Sequence, residues 1–498
     1  MSTQLSNLPG RHGTPDGYAS RHIGRPKAAH RLDDSNDQGA LTELGSRMVG
    51  AGPNDPLDRE ENKDIAAGYT YFGQFISHDL SFNPVNDFPP QVDNDAIRNA
   101  RTPSLDLDSI YGQGPIEQSY LYVDDEKFLL GERLTDDGDP ENIGYELPRQ
   151  ATDRPWPHPS RAIIADPRND ENNIVGQIHS VFLQFHNRMV DQVPSDQKDR
   201  FEVARQETRW HYQWIVLHDF LPKIVPEEIL QSIVDLKALS RGEIPTVPIY
   251  ELYEPAAEPW IPVEFAFAAY RFGHSMVRPH YHINKGVREA REAADKGALP
   301  ILSDPTEDSL LGRRRMKNKW AFDWDFFFPK EGGAVIQPSL RIDTLISKPL
   351  FELQRSTVVK HGESRLSVLT LLRGAQMRLP SGETVARLLG RTPLTSSELY
   401  DRQVRGEHAA RGIDGLSQKT REMLRNRTPL WYYVLREAEL EAQGKRLGPV
   451  GGRIVAETLI GLLFSDRESV VNAERRWRPI RTPWGMRDLI EETKGTVR

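Results

Sequence analysis

The chain has 498 residues; 38% are hydrophobic, 64 are basic and 72 are acidic, which gives a net charge of −8 at pH 7. This length and apolar content suffice for a large buried core, and the mildly acidic balance argues against nucleic acid as the main partner. The sequence contains no cysteine, so disulfides, thiolate nucleophiles, iron–sulfur clusters and cysteine-bound zinc are excluded. Any metal must therefore bind to oxygen or histidine ligands.

Residues 1–56 are rich in Gly, Pro, Asn, Asp and Arg and lack a helical period, which predicts an extended or disordered N-terminal arm. Beyond residue 56, apolar residues recur at spacings of three and four, which predicts one large, mainly α-helical domain with few short strands. The first residues lack the apolar core of a secretory signal, and no run is long and uncharged enough to span a membrane. We therefore expect a cytoplasmic protein, with non-classical export left open and the oligomeric state undetermined.

The stretch AGYTYFGQFISHDLSF, which begins at residue 67, is predicted to form a helix with two polar residues at its centre. Gln74 and His78 are four apart, so their side chains lie on one face, about 6 Å from each other. Phe72, Phe75 and Ile76 supply apolar surface around them. A histidine beside an amide in a pocket with little water is suited to proton transfer. The alternative is a core histidine bonded to a backbone carbonyl.

The segment NARTPSLDLDSIYG is predicted to be an extended loop with a metal-binding pattern. Thr102, Ser104, Asp106 and Asp108 alternate along it, which puts their oxygens on one side of the chain. A calcium ion requires six to eight oxygen ligands of this kind. The alternative is a solvated acidic turn.

The segment PRNDENNIVGQIHSVFLQFHNRMV is predicted to be helical from about Arg168, because its apolar residues recur at three and four. His179 and His186 lie seven apart on one face. That spacing is too wide for both to hold one ion, so we expect them to pack or to form hydrogen bonds.

The segment EFAFAAYRFGHSMVRPHY predicts an apolar helix that spans residues 264–281 and carries His274 in its middle. Gly273 removes a side chain at a place where a flat group could approach. Arg271 and Arg278 lie about one turn before and after the histidine. A neutral buried imidazole with arginines nearby suits an anionic planar cofactor held by its iron and its carboxylates. The alternative is a core histidine with two surface arginines.

Four of these motifs stand together in an order found in a known family: GQFISHD, TPSLDLDSIYG, RNDEN followed by FHNR, and YRFGH. From about Asp64 to Phe464 the sequence resembles the animal-type haem peroxidase superfamily, and it is most similar to the bacterial, peroxidase-like branch. The resemblance implies a haem peroxidase domain over residues 57–498, with haem b and calcium as cofactors.

The resemblance also implies roles for individual residues. His78 matches the distal histidine, Gln74 its neighbour over the haem, and Arg168 the distal arginine. His274 matches the proximal ligand of the haem iron. The basic residues near the haem propionates match Arg271 and Arg373. The calcium ligands match Asp79, Thr102, Ser104 through its carbonyl, Asp106 and Asp108.

Three departures from the family pattern concern the haem. Ser77 stands where an ester-forming aspartate occurs in the mammalian enzymes, whereas Glu171 matches the second ester-forming carboxylate, so at most one ester bond is expected. Asn172 replaces the methionine that forms a sulfonium link. Thr370 replaces the asparagine that accepts a hydrogen bond from the proximal imidazole, which alters the donor strength of His274.

The resemblance implies a peroxidase that reduces hydrogen peroxide through a ferryl intermediate and oxidises bromide, iodide, or phenolic and other small organic donors. One alternative is a fatty-acid dioxygenase of the same superfamily, which requires a tyrosine three residues before the proximal histidine. Arg271 occupies that position and Tyr270 is one residue off. The other alternative is a non-catalytic adhesion or scaffold protein, against which the retained distal and proximal residues argue.

Overall fold

The computed structural model describes residues 18–23, 29–30, 34–52, 61–82, 98–151, 160–243, 247–255, 259–302, 308–353, 363–401, 415–473, 477–479, 481 and 483–494. Helices dominate this part of the chain and the strands are short, so the predicted mainly α-helical, single-domain fold is confirmed. None of the helices described there combines the length and the apolar composition needed to cross a membrane.

The helices are, in chain order, α1 Ser35–Ser46, α2 Gly68–Leu80, α3 Asp108–Tyr111, α4 Gly114–Glu117, α5 Asn173–Gln192, α6 Arg200–Ile215, α7 Leu221–Ile224, α8 Glu227–Ile233, α9 Leu236–Arg241, α10 Val263–Phe267, α11 Lys285–Ala293, α12 Lys348–Phe351, α13 Leu366–Gln376, α14 Gly382–Leu388, α15 Ser396–Tyr400, α16 Gln418–Leu424, α17 Leu430–Ala442, α18 Pro449–Ser465 and α19 Met486–Thr493. The strands are β1 Tyr18–Arg21, β2 Glu61–Ala66, β3 Arg98–Asn99, β4 Arg133–Leu134, β5 Gly144–Tyr145, β6 Ile261–Pro262, β7 His280–Tyr281, β8 Leu299–Pro300 and β9 Pro338–Leu340.

The strands form small sheets at the edges of the helical body. Strand β1 lies between β3 and β6, antiparallel to β3 and parallel to β6. The other strands form antiparallel pairs, β2 with β9, β4 with β5, and β7 with β8. The pair of β2 and β9 joins segments that are distant in the chain, whereas the other two pairs are local.

An aromatic cluster joins α2, α5 and α6 at the centre of the core. Phe75 on α2 stacks on Phe182 on α5 with ring centroids 4.9 Å apart, and Tyr212 on α6 meets both rings edge-on. All three side chains are fully buried. Stacked and edge-to-face contacts of this kind stabilise a core beyond the burial of their area. They fix how α2, which carries Gln74 and His78, lies against α5.

The helix predicted over residues 264–281 is wrong in its length. Helix α10 ends at Phe267, because the next residue, Ala268, has a φ of −137° and a ψ of −77°, which are not helical. A 3₁₀ turn follows over Ala269–His274. Residues three apart eclipse one another in a 3₁₀ helix, so Arg271 lies on the same side of this turn as His274. The turn packs against α2, so His274 and His78 lie on neighbouring elements.

Within the predicted extended or disordered arm over residues 1–56, the described residues include the strand β1, which is extended, and the helix α1, which is not. The Asp34 side chain caps α1 by accepting from the backbone N–H of Asn36 at 2.8 Å. Leu41 and Leu44 are fully buried where α1 packs against α13 and α16. Tertiary packing therefore stabilises a helix whose own sequence has few apolar residues.

A hydrogen-bonded contact ties this N-terminal segment, the described residues between 18 and 46, to the proximal side of the molecule. His22 Nδ1 lies 2.7 Å from Glu264 Oε1, and the other carboxylate oxygen accepts from the backbone N–H of Ile23 at 3.0 Å. Glu264 belongs to α10, which leads to the turn that carries His274. The predicted domain boundary after residue 56 lies outside the described residues and stays a prediction.

Candidate active site

The distal residues come from two elements that meet at the end of α2. Gln74 and His78 lie on α2, which forms within two residues of its predicted limits. Arg168 lies in a 3₁₀ turn, Pro167–Asp170, and Glu171 follows it just before α5. Hydrogen bonds connect these side chains across the two elements. Their roles in a haem site stay predictions.

His78 is buried and has one nitrogen fixed by a hydrogen bond. Its Nδ1 lies 2.8 Å from Oδ1 of Asn169. An amide oxygen only accepts, so Nδ1 carries the proton and Nε2 keeps its lone pair. Burial lowers the pKa of His78 to about 4, and the charge of Arg168 adds to this effect. The imidazole is therefore neutral at pH 7, and Nε2 is a base.

Gln74 contacts the segment before α5 rather than His78. Its Nε2 donates to Glu171 at 3.3 Å, and its Oε1 accepts from Asn172 at 3.1 Å. Asn172 also caps α5, because its Oδ1 accepts from the backbone N–H of Val175 at 2.9 Å. A methionine at this position could make neither bond. Burial raises the pKa of Glu171.

The Arg168 guanidinium joins the 3₁₀ turn to the last turn of α2. It donates to Asp166 at 3.0 and 2.7 Å, to the carbonyl of Ser81 at 2.6 Å and to the carbonyl of His78 at 2.8 Å. Carbonyls at the end of a helix lack partners within it, so these bonds satisfy them. Although burial acts to raise it, hydrogen bonds and charges from Arg168 and Arg101 hold the pKa of Asp166 below its usual range.

A buried ion pair holds the same turn from its other side. Arg149 donates to both carboxylate oxygens of Asp170, at 2.8 and 2.7 Å, and to the carbonyl of Ser160 at 2.7 Å. It also pairs with Glu146. These side chains are almost fully buried. The turn that carries Arg168 is thereby anchored on both of its faces.

On the proximal side, the hydrogen bond expected between Thr370 and His274 is not present. The threonine hydroxyl donates to the carbonyl of Leu366 in its own helix at 2.8 Å. His274 Nδ1 is buried and has no hydrogen-bond partner among the described residues. Burial lowers the pKa of His274 to about 3, and Arg271 adds to this effect, so the imidazole is neutral. Its ring meets Trp431 edge-on at 5.9 Å.

Arg271 and Arg373, the predicted propionate partners, lie together beside His274. Their guanidinium carbons lie 5.5 and 5.8 Å from the centroid of the Phe267 ring. Burial lowers the pKa of Arg271 to about 10, and the charge of Arg373 lowers it further. Arg278, the second arginine of the segment over residues 264–281, instead pairs with Glu61 at 2.7 Å and takes no part in the cluster.

The predicted calcium loop lies against α2 through Asp79. This fully buried carboxylate accepts from the backbone N–H groups of Leu107 and Ser109 at 3.1 and 3.2 Å. Leu107 has a φ of 60°, which turns the loop back toward the helix. Burial and the nearby Asp106 raise the pKa of Asp79 well above its usual range. The residue after His78 is therefore tied to the loop.

Three of the other predicted calcium ligands, Thr102, Asp106 and Asp108, are bonded to one another. Asp106 accepts from the Thr102 hydroxyl at 2.7 Å and from the backbone N–H of Asp108 at 3.1 Å, and Ser104 is buried beside them in the chain. Burial and the charge of Asp108 raise the pKa of Asp106 to about 6. Within the described residues, no three histidine or acidic side chains converge as metal ligands. The loop is brought to Asp79 as expected, but its oxygens are directed at neighbouring donors.

Comparison with known proteins identifies the family. The animal haem peroxidase model matches residues 93–467, well over half of the chain. The chain therefore belongs to the animal haem peroxidase family. It is 24% identical over 378 residues to Heme peroxidase 2 of Caenorhabditis elegans, and 22% identical over 382 residues to thyroid peroxidase of Rattus norvegicus. These alignments cover 73% and 74% of this chain but only 47% and 38% of the two relatives.

Solved structures share the fold at low sequence identity. Peroxidase A of Dictyostelium discoideum superposes with a TM-score of 0.60 and 16% identity, covering 96% of this chain and 94% of that one. A fatty acid alpha-dioxygenase of Oryza sativa superposes with a TM-score of 0.58 and 14% identity, covering 95% and 78%. The fold therefore occurs in both classes of enzyme.

The family implies haem, and the proximal residues fit this group. Apart from its two neighbours in the chain, a methyl group added at Gly273 would meet no atom within 4 Å, so there is open space beside this residue. The neutral imidazole of His274 can hold an iron ion. Arg271 and Arg373 repel each other, and an anion such as a propionate would relieve that repulsion. His274 would hold the iron, and the two arginines would hold the propionates.

Sequence reasoning missed three residues of the distal site: Asn169, Asp166 and Arg149. Asn169 lies within the RNDEN motif and Asp166 lies two residues before it, but only Arg168 and Glu171 were singled out there from the sequence. A run of polar residues at the start of an apolar helix was the available signal. Arg149 lies about twenty residues earlier in the chain, and no pattern in the sequence indicates its contact with Asp170.

Proposed function

We propose that this protein is a haem-dependent peroxidase that reduces hydrogen peroxide with electrons from bromide, iodide, or a phenolic or other small organic donor. One observation carries the proposal: the buried His78 imidazole donates from Nδ1 to Asn169, so Nε2 remains a base. Membership in the animal haem peroxidase family supports it.

The proposed mechanism uses His78 to move one proton. Bound haem would supply, from its iron and its porphyrin, the two electrons that are needed to break the O–O bond of the peroxide. His78 Nε2 takes the proton from one peroxide oxygen and returns it to the other, which departs as water. Both steps require a neutral imidazole with a fixed tautomer. Arg168, which lies at the end of α2, would stabilise the negative charge that develops on the peroxide as its O–O bond breaks.

The donor class follows from the residues that would attach the haem. Ser77 cannot form an ester, and Asn172 cannot form a sulfonium link. Glu171 is the one carboxylate left to form an ester, and it lies within hydrogen-bonding distance of Gln74. With fewer covalent links we expect a less oxidising iron, which favours bromide, iodide and organic donors over chloride.

A fatty-acid dioxygenase is the second candidate, because the solved neighbours include fatty acid alpha-dioxygenases. That reaction would need a tyrosine beside the haem. Tyr270 is buried and stacks on Phe265 with ring centroids 4.6 Å apart, whereas Arg271 stands three residues before His274. This arrangement favours the peroxidase over the dioxygenase.

The test is the absorption spectrum of the haem-loaded protein before and after one equivalent of hydrogen peroxide. We expect a Soret band that shifts with peroxide and recovers when bromide or a phenol is added. Oxygen uptake with linoleate would instead support the dioxygenase. A protein that does not bind haem, or whose Soret band does not shift when peroxide is added, would support the interpretation as a non-catalytic adhesion or scaffold protein. Haem that stays with the protein in acid–butanone would indicate an ester through Glu171.

We also propose that calcium binds between α2 and the loop, with Asp79, Thr102, Ser104, Asp106 and Asp108 as ligands. Three carboxylates are crowded here, and a cation would offset their repulsion. Binding requires the oxygens to turn from their present N–H and O–H partners toward the ion.

Calcium is therefore expected to stabilise the protein, by about 2.7 kcal/mol when its concentration is 100 times the dissociation constant. The measurement is unfolding by denaturant with calcium and with chelator. Asp106→Asn should abolish the difference, because it removes a ligand charge. Asp137→Asn, in an exposed acidic turn, is the matched control and should keep it. Equal stability of the wild type in calcium and in chelator would contradict the proposal.

A further inference from the structure

Asn169 connects two buried imidazoles. It lies in the turn between Arg168 and Asp170, and its side chain is fully buried. Its Oδ1 lies 2.8 Å from Nδ1 of His78, and its Nδ2 lies 3.0 Å from Nδ1 of His179. His179 is fully buried on α5. The three side chains form a chain of two hydrogen bonds through the core.

The direction of these bonds decides where each proton lies. The amide oxygen accepts, so His78 carries its proton on Nδ1. The amide nitrogen donates, so His179 accepts on Nδ1 and carries its own proton on Nε2. If the amide of Asn169 turned by 180°, both imidazoles would have to change tautomer. His78 would then have a proton on Nε2 and could not act as a base there.

The backbone around Asn169 prevents its side chain from moving away. Its N–H donates to the carbonyl of Asp166 at 3.1 Å. The residues on both sides are held by ion pairs, Arg168 by Asp166 and Asp170 by Arg149. The amide is therefore presented to His78 from a rigid turn, and its hydrogen bond to His179 couples its orientation to the tautomer of His179.

We propose that Asn169 is a positioning residue that holds His78 in its Nδ1–H tautomer, and that its second hydrogen bond couples the tautomer of His78 to that of His179. Only the expected effect of Asn169 on catalysis rests on the proposed function. The geometry itself concerns side chains of this chain and can be tested without haem.

The first experiment measures the tautomer of His78 in haem-free protein labelled with ¹⁵N-histidine. The His78 signals are assigned by comparison with His78→Gln, and nitrogen chemical shifts distinguish the two tautomers. We expect Nδ1–H in the wild type and a mixture of tautomers in Asn169→Leu, whose side chain has a similar size and no acceptor. Asn169→Asp keeps an oxygen facing His78 and should keep the wild-type tautomer. An unchanged tautomer in Asn169→Leu would overturn the proposal.

The second experiment tests the consequence in the haem-loaded protein. We expect Asn169→Leu to slow the reaction with hydrogen peroxide about 10- to 100-fold, as loss of an orienting partner does at other metal sites. Asn169→Asp should recover most of that rate. The rate at which the Soret band recovers after bromide or a phenol is added should not change, since that step does not use His78 as a base. A loss of both steps in equal measure would indicate a merely structural effect and overturn the proposal.

A matched control separates tautomer control from the general loss of a buried hydrogen bond. His186 is another fully buried histidine of α5, and it bonds to the Tyr111 hydroxyl at 3.0 Å and to the carbonyl of Glu126 at 2.8 Å. His186→Gln should leave the His78 tautomer unchanged, whereas His179→Leu should disturb it. If the tautomer changes as expected but the wild type does not react with peroxide, the positioning role stands and the proposed function fails.

Discussion

Replacing His78 with leucine is expected to slow the reaction with hydrogen peroxide by about 10² to 10⁴-fold, the usual contribution of a general acid–base residue. The variant keeps an apolar side chain in the buried site but has no Nε2 to move the proton. Haem should still bind, because His274, Arg271 and Arg373 are unchanged. The measurement is the rate of change of the Soret band after rapid mixing with peroxide.

His186→Leu is the control for this prediction, since it removes another fully buried imidazole from the same core. It should bind haem and react with peroxide at the wild-type rate. If His78→Leu also reacted at that rate with an equal haem content, His78 would not be the base. A role for Gln74 or a bound water molecule would then have to be considered.

Replacing Arg149 with methionine is expected to lower the free energy of unfolding by about 3–5 kcal/mol, the usual cost of removing one partner from a buried ion pair. Asp170 and Glu146, which are 4% and 2% exposed, would keep their carboxylates without a compensating charge. Methionine preserves most of the side-chain volume, so the change in the free energy of unfolding is due mainly to the loss of the charge. The measurement is unfolding by denaturant followed by circular dichroism.

Two further variants test the cause of this destabilisation. Arg149→Met combined with Asp170→Asn and Glu146→Gln removes all three charges and should recover most of the stability, because no buried charge is left unpaired. Arg315→Met breaks a pair with Glu132 at a surface where both side chains are at least 40% exposed, and should cost less than about 1 kcal/mol. Equal losses for Arg149→Met and Arg315→Met would contradict the burial argument.

The parts of the site that the sequence predicted are those with short-range patterns. Helix α2 was predicted because its apolar residues recur at helical spacing, and the pair Gln74 and His78 follows from that spacing. The contact between Asp79 and the loop was predicted only through the family resemblance. No local pattern specifies that the backbone at Leu107 turns toward α2.

The remaining parts of the site depend on contacts between distant residues. Whether the amide of Asn169 faces His78 depends on how α2 lies against α5, which is set by packing in the core. The proximal helix breaks at Ala268, although its sequence remains apolar and helix-compatible beyond that point. Tertiary contacts there include the Trp431 indole, which donates to the carbonyl of Arg271 at 3.1 Å. Such effects override local propensity and cannot be read from spacing.

The contacts of the N-terminal segment set an order for the folding of the proximal side. Strand β1 pairs with β6, and α1 packs against α13 and α16, so each joins residues more than 200 positions later in the chain. During synthesis on the ribosome, these partners emerge long after the segment itself. Long-range contacts of this kind slow folding. The part of the molecule that would hold the propionates is therefore expected to become complete only when most of the chain has been made, and haem capture should be a late step.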